Sequence, residues 1–86
     1  MLNCLAALSS TCDSDLTRIT HIVRLCGLVR STADFTRHTP VLDAASYALH
    51  TAFPDLTLPA RTAVGVNSLP DCAWIEIEMD VIAGAT

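Results

Sequence analysis

The stretch from Pro59 to Asp80 reads PARTAVGVNSLPDCAWIEIEMD, and the rest of the chain falls into place around it. Two segments, Arg61 to Ser68 and Ala73 to Ile82, are short and rich in β-branched residues, and Pro70-Asp71 between them is a turn signal. The spacing predicts two strands joined as a hairpin. Along the second strand Ile75, Ile77, Met79 and Val81 alternate with Trp74, Glu76, Glu78 and Asp80. Successive side chains of a strand point to opposite faces, so one face is apolar and the other carries carboxylates and an indole.

Working back toward the N-terminus, residues 55 to 59 form a loop, and before it Leu42, Ala45, Ser46, Leu49 and Phe53 recur at helical spacing. Thr39 followed by Pro40 suits an N-cap and first helical position, and Pro54 ends the helix because proline disfavours helical geometry in the residue before it. Ile19 to Arg30 is a long strand. Simple alternation puts Ile19, His21, Val23, Leu25, Gly27 and Val29 on one face and Thr20, Ile22, Arg24, Cys26, Leu28 and Arg30 on the other. Both faces are largely apolar, which suits a strand covered by helices on one side and by another layer or subunit on the other. Leu2, Leu5, Ala6 and Leu8 give a first helix that starts without a capping residue, and the polar stretch Ser9 to Asp15 ends it.

The order helix, strand, helix, strand, strand is an α+β pattern within a single domain, residues 1–86. A chain this short buries only about 60% of its unfolded surface, so its stability margin is thin. With 51% apolar residues, it is also greasy for its size, which points to a partner on its surface.

The net charge is −4, and all five basic residues are arginines scattered among nine carboxylates. Nucleic-acid binding needs clustered cations that displace counterions, so no nucleic-acid partner is expected. Cys4, Cys12, Cys26 and Cys72 contain no C-x-x-C pair, so neither a zinc site nor a redox motif is spelled out and no metal is expected. The opening MLNCLAALSS lacks the basic start of a secretory signal, and no apolar run is long enough to cross a membrane. These features favour free thiols in a reducing compartment, the cytoplasm, with the mitochondrion as the other candidate.

Ala60, Arg61, Thr62, Val64, Val66, Leu69, Pro70, Ile75, Glu76, Ile77 and Glu78 follow one another in a pattern that resembles the C-terminal signature of the RidA/YjgF superfamily, also called endoribonuclease L-PSP or chorismate mutase-like. The segments ADFTRHTPVLDAASYAL, RITHIVRLCGLV and NCLAAL resemble that family's second helix, central strand and first helix. The resemblance covers the chain and implies a truncated chorismate mutase-like fold without the family's N-terminal hairpin, its helices packed on one face of a mixed sheet. It implies a homotrimer that hydrolyses reactive enamines and imines to 2-oxo acids and ammonia, without a cofactor, at pockets between subunits.

Within that resemblance, Arg61 takes the place of a fork for a substrate carboxylate, for which a planar guanidinium is suited as a lysine is not. Glu76 takes the place of the acid that positions water, and Glu78 is expected to be structural. Thr62 and Ala63 follow the arginine, with Ala63 standing where many active members have cysteine. Asp43 stands where many relatives have asparagine and would bring negative charge toward an anionic ligand. These departures, with the missing hairpin, favour an alternative reading, a non-catalytic small-ligand-binding or interaction module of the same fold, or an inactive fragment. Ribonuclease activity rests on the family's inherited name alone. Taken singly, an arginine at a strand start is usually a salt-bridging residue and alternating glutamates are usually a strand's solvated face. Tyr47 and Trp74 read as packing or interface anchors, and His21 as a hydrogen-bonded core histidine.

Overall fold

The computed structural model describes residues 1–12 and 14–84, so Asp13 in the Ser9–Asp15 stretch and the last two residues of the expected domain lie outside the described residues. Helix α1 spans Leu2–Thr11, strand β1 Ile19–Arg30, helix α2 His38–Ala52, strand β2 Ala60–Val66 and strand β3 Ile75–Ala83. The fold class is α+β as expected, with both helices on one face of a mixed three-stranded sheet.

The sheet order is β2-β1-β3, with β1 parallel to β2 and antiparallel to β3. This overturns the hairpin expected between the last two strands. Strand β1 is apolar on both faces, and the centre of the sheet gives its backbone a ladder on each side. Both of its neighbours are therefore edges. The loop from residue 67 to 74 crosses the end of β1, turning at Pro70–Cys72 with Asp71 and Cys72 at positive φ. That left-handed geometry is uncommon for non-glycine residues and serves here to carry the chain from one sheet edge to the other.

Simple alternation along β1 also fails, for a local reason. Its register against β3 shifts between Ile19 and His21 and again between Ile22 and Arg24. Each bulge inserts one residue and reverses which face the following side chains occupy. Ile19, Ile22 and Leu25, spaced by threes, thus all reach the helix face and join Cys12, Leu42, Ala45 and Leu49 in the buried core. His21 is left exposed, its Nδ1 beside Thr20 Oγ1 at 3.1 Å, and is not a core histidine.

Helix α2 buries Leu42, Ala45 and Leu49, with Phe53 packed against the same cluster, as its periodicity predicts. It begins two residues earlier than Thr39-Pro40 suggests: Arg37 is the N-cap, with no side-chain bond, and Pro40 sits in the first turn, where no intrahelical N–H is required. Gly27 is the point of closest approach, because a Cβ there would overlap Leu42 Cδ1. Helix α1 continues through Ser9 and Ser10 to Thr11, whose hydroxyl donates back to the Ala7 carbonyl at 3.0 Å. Its inward stripe is Met1, Leu8 and Cys12, with the Cys4 thiol 3.6 Å from the Ile77 carbonyl, while Ala6 is exposed. No helix among the described residues is long and apolar enough to cross a membrane.

Candidate functional site

Arg61 is the second residue of β2 and pairs in register with Leu25, on the face covered by the helices. Asp43 and Ser46 stand one helical turn apart on α2 and meet it there. Arg61 Nη1 donates to Asp43 Oδ1 at 2.7 Å and to Ser46 Oγ at 3.0 Å. Both bonds fall on a single nitrogen. The Nε–Nη2 edge, which can donate two parallel hydrogen bonds to one carboxylate, has no protein partner among the described residues. Arg61 lines a cavity of about 240 Å³ together with Ser46, Leu58 and Pro59. The arginine side chain is 28% exposed and that of Asp43 62%, so the ion pair is partly screened by water.

The other residues singled out in the sequence lie apart from this cleft. Ala63 shares the face of Arg61 but packs its methyl against the core. Thr62 pairs with Cys26 and shares the open face of the sheet. Glu76 pairs with Leu28 on that open face, across β1 from Arg61. Within one chain Arg61 and Glu76 are therefore separated by the sheet itself. In the row to which Glu76 belongs, Arg24 Nε bonds Asp80 at 3.1 Å and Arg24 Nη2 lies 3.5 Å from Glu78, and the hydrogen bond to Asp80 raises the guanidinium pKa above its ordinary value. Glu76 has no cation beside it among the described residues.

Sequence reasoning placed Ser46 only on the packing face of α2 and missed it as a partner of Arg61. The signal was present in its spacing of three from Asp43, which puts both on one side of the helix. Nothing local in Leu58 or Pro59 marks them as cavity walls.

Comparison with solved structures places this geometry. Protein Atu1372 from Agrobacterium tumefaciens, whose function is unknown, superposes with a TM-score of 0.90 at 32% identity, over 94% of this chain and 52% of that one. A protein named as a candidate endoribonuclease from Shewanella oneidensis MR-1 superposes with a TM-score of 0.79 at 24% identity, over 93% of this chain and 52% of its own. The fold is the chorismate mutase-like one. The chain spans about half the length of either neighbour, 52% in both cases. No family model matches the sequence, and no curated protein does.

Proposed function

We propose that the protein is a RidA-like, cofactor-free hydrolase of enamine and imine intermediates that works as a homo-oligomer, a homotrimer on the family resemblance, in the cytoplasm. The observation that carries this reading is Arg61, lining a cleft with its Nε–Nη2 edge open to a ligand carboxylate. Protonation of an enamine at carbon gives an iminium ion, the protonated imine. Water then adds to its carbon, the C–N bond breaks, and ammonia leaves with one of water's two protons while the other replaces the proton taken up at carbon. The product is a 2-oxo acid, and the step needs a held substrate and a placed water rather than a metal or nucleotide.

Arg61 is the group proposed to hold the carboxylate, and Glu76, free of a cation, the group to position water and take its proton. Because the sheet separates them within one chain, the reading requires the glutamate to come from a neighbouring copy. The open face, where Val64 is 40% exposed beside half-buried Leu28, is the surface proposed for that association. Ribonuclease action has no comparable support, since the arginines are dispersed among the carboxylates.

A second reading, a non-catalytic module for a small carboxylate, is favoured by Asp43, which already occupies one nitrogen of Arg61. The two are separated by generating a 2-imino acid in situ and following 2-oxo acid release. The deaminase reading expects Glu76→Gln to lower kcat by roughly 10²-fold or more while sparing binding. Arg61→Lys is expected to raise KM, because a point charge cannot reproduce two parallel bonds, and Glu78→Gln to do little. Turnover equal to the uncatalysed rate, with a 2-oxo acid still bound in an Arg61-dependent way, would establish the binding module instead.

A further inference from the structure

At the opposite end of β2 from Arg61, roughly 20 Å away at a strand's rise per residue, the parallel strands β1 and β2 both finish. Ser31 follows β1 and Asn67 follows β2, and the Ser31 N–H donates to the Val66 carbonyl at 3.1 Å, fixing the two ends side by side. Two cavities open here. One, of about 190 Å³, is bounded by His38 and Phe35 and floored by Gly65, and the other, of about 460 Å³, by Arg30 and Trp74. Ser31, Thr32 and Asn67 line both, so the two adjoin. Ligands of open sheets commonly sit beyond the carboxyl ends of parallel strands, which is the location here.

The polar groups at this end are donors or neutral, and among the described residues no aspartate or glutamate lines either cavity. Arg30 stacks on Trp74 with its guanidinium carbon 4.2 Å from the ring centroid. Stacking uses the face of the guanidinium and leaves its in-plane N–H groups available. Arg24 and Arg61 are each tied to carboxylates, whereas Arg30 has no carboxylate partner among the described residues. His38 Nε2 and Ser31 Oγ both crowd Gly65: a Cβ there would lie 2.6 Å from the first and 2.7 Å from the second. The absence of that side chain lets the imidazole and hydroxyl reach the same spot. The Thr32 hydroxyl is engaged by Asp34, whose carboxyl it holds below the ordinary range.

We propose that the ends of β1 and β2 form a second binding site, separate from the Arg61 cleft, that takes a phosphate-class oxyanion through Arg30, Ser31, Asn67 and His38. Donors arrive from two strand ends and a helix, an arrangement suited to a tetrahedral anion rather than to the planar carboxylate that fits one guanidinium edge.

The chain's single tryptophan, Trp74, reports on this site directly. Inorganic phosphate is titrated at constant ionic strength set with chloride, following Trp74 fluorescence and the His38 imidazole signals by NMR. Saturable changes in both are expected, with Arg30→Gln weakening binding at least about tenfold, in line with a hydrogen bond to a charged group. Gly65→Ala should weaken it comparably by displacing His38 and Ser31, and Ser31→Ala serves if that variant does not fold. Arg24→Gln, a cation committed to carboxylates, should leave it within about twofold. A nucleoside monophosphate titrated in parallel distinguishes an ester ligand, which binds more tightly than inorganic phosphate, from a free oxyanion, which does not. A response that chloride reproduces, or one lost with Arg61→Gln but kept with Arg30→Gln, would overturn the proposal.

Discussion

The two faces of the sheet are built from neighbouring residues of the same strand, yet they are held by different physics. On the helix face Leu25 and Leu42 are wholly buried and Gly27 admits the side chain of Leu42 against the backbone. On the open face Arg24 is clamped by Glu78 and Asp80, Arg30 lies on Trp74, and Val64 and Leu28 keep some exposure. The first face is complete within the chain. The second pairs Arg24 with two carboxylates but, among the described residues, leaves Glu76 without a cation and apolar area uncovered, which is the state expected of a surface awaiting another subunit.

That contrast is broken most directly by substitutions that trim each face. Leu42→Ala should cost about 2–5 kcal/mol, because the cavity left beside Leu25 and Leu49 cannot collapse against a rigid sheet. Gly27→Ala should cost about 1–3 kcal/mol by overpacking Leu42, and much less once Leu42 is alanine, a coupling that a double-mutant cycle in urea would measure. Val64→Ala on the open face should cost under about 1 kcal/mol. A loss at Val64 as large as that at Leu42 would mean that the open face is also a dry core in solution.

The second test concerns what covers that face. Val64→Lys places a charge where the proposed subunit contact is apolar, whereas Tyr47→Lys changes a residue 75% exposed on the helix side. Sedimentation should show the first variant shifted toward smaller species, with the second assembling like the parent. Equal behaviour of the two would remove the open face as the interface.

How much of this was legible in the sequence differs between the elements. The 3.6-residue period of Leu42, Ala45 and Leu49 gave α2 and its buried face, and Pro54 its end, because helix signals are local. The pairing of β2 and β3 was not legible, since strands next to each other in sequence need not be neighbours and the deciding fact is that β1 takes the centre. The faces of β1 were misread for want of any local sign of its two bulges, whose effect is to bring Ile22 and Leu25 to one side. At the candidate site, Arg61 and Asp43 carried a readable pattern and do meet. The separation of Arg61 from Glu76 depends on which strand lies between them, and no spacing encodes that.

The smallest expected effect lies at the entry to β1, away from both faces. The Asp15 carboxylate accepts from the Thr17 hydroxyl and backbone N–H, and these bonds lower its pKa from the ordinary 3.8. A carboxyl whose folded pKa lies below its unfolded value stabilises the fold above the unfolded value and loses that contribution as pH falls through the folded one. Asp15→Asn keeps an oxygen for the Thr17 N–H but removes the titration. The parent should therefore melt slightly higher than Asp15→Asn at pH 6, and the difference should shrink as the pH is lowered through the carboxylate range toward pH 3. The group is solvent-exposed, so the effect should amount to a few degrees at most and should weaken with added salt. A difference between the two that stays constant from pH 6 to pH 3 would show that the Thr17 bonds persist on the protonated acid, and that the start of β1 is fixed by Ile19 in the core rather than by the charge of its cap.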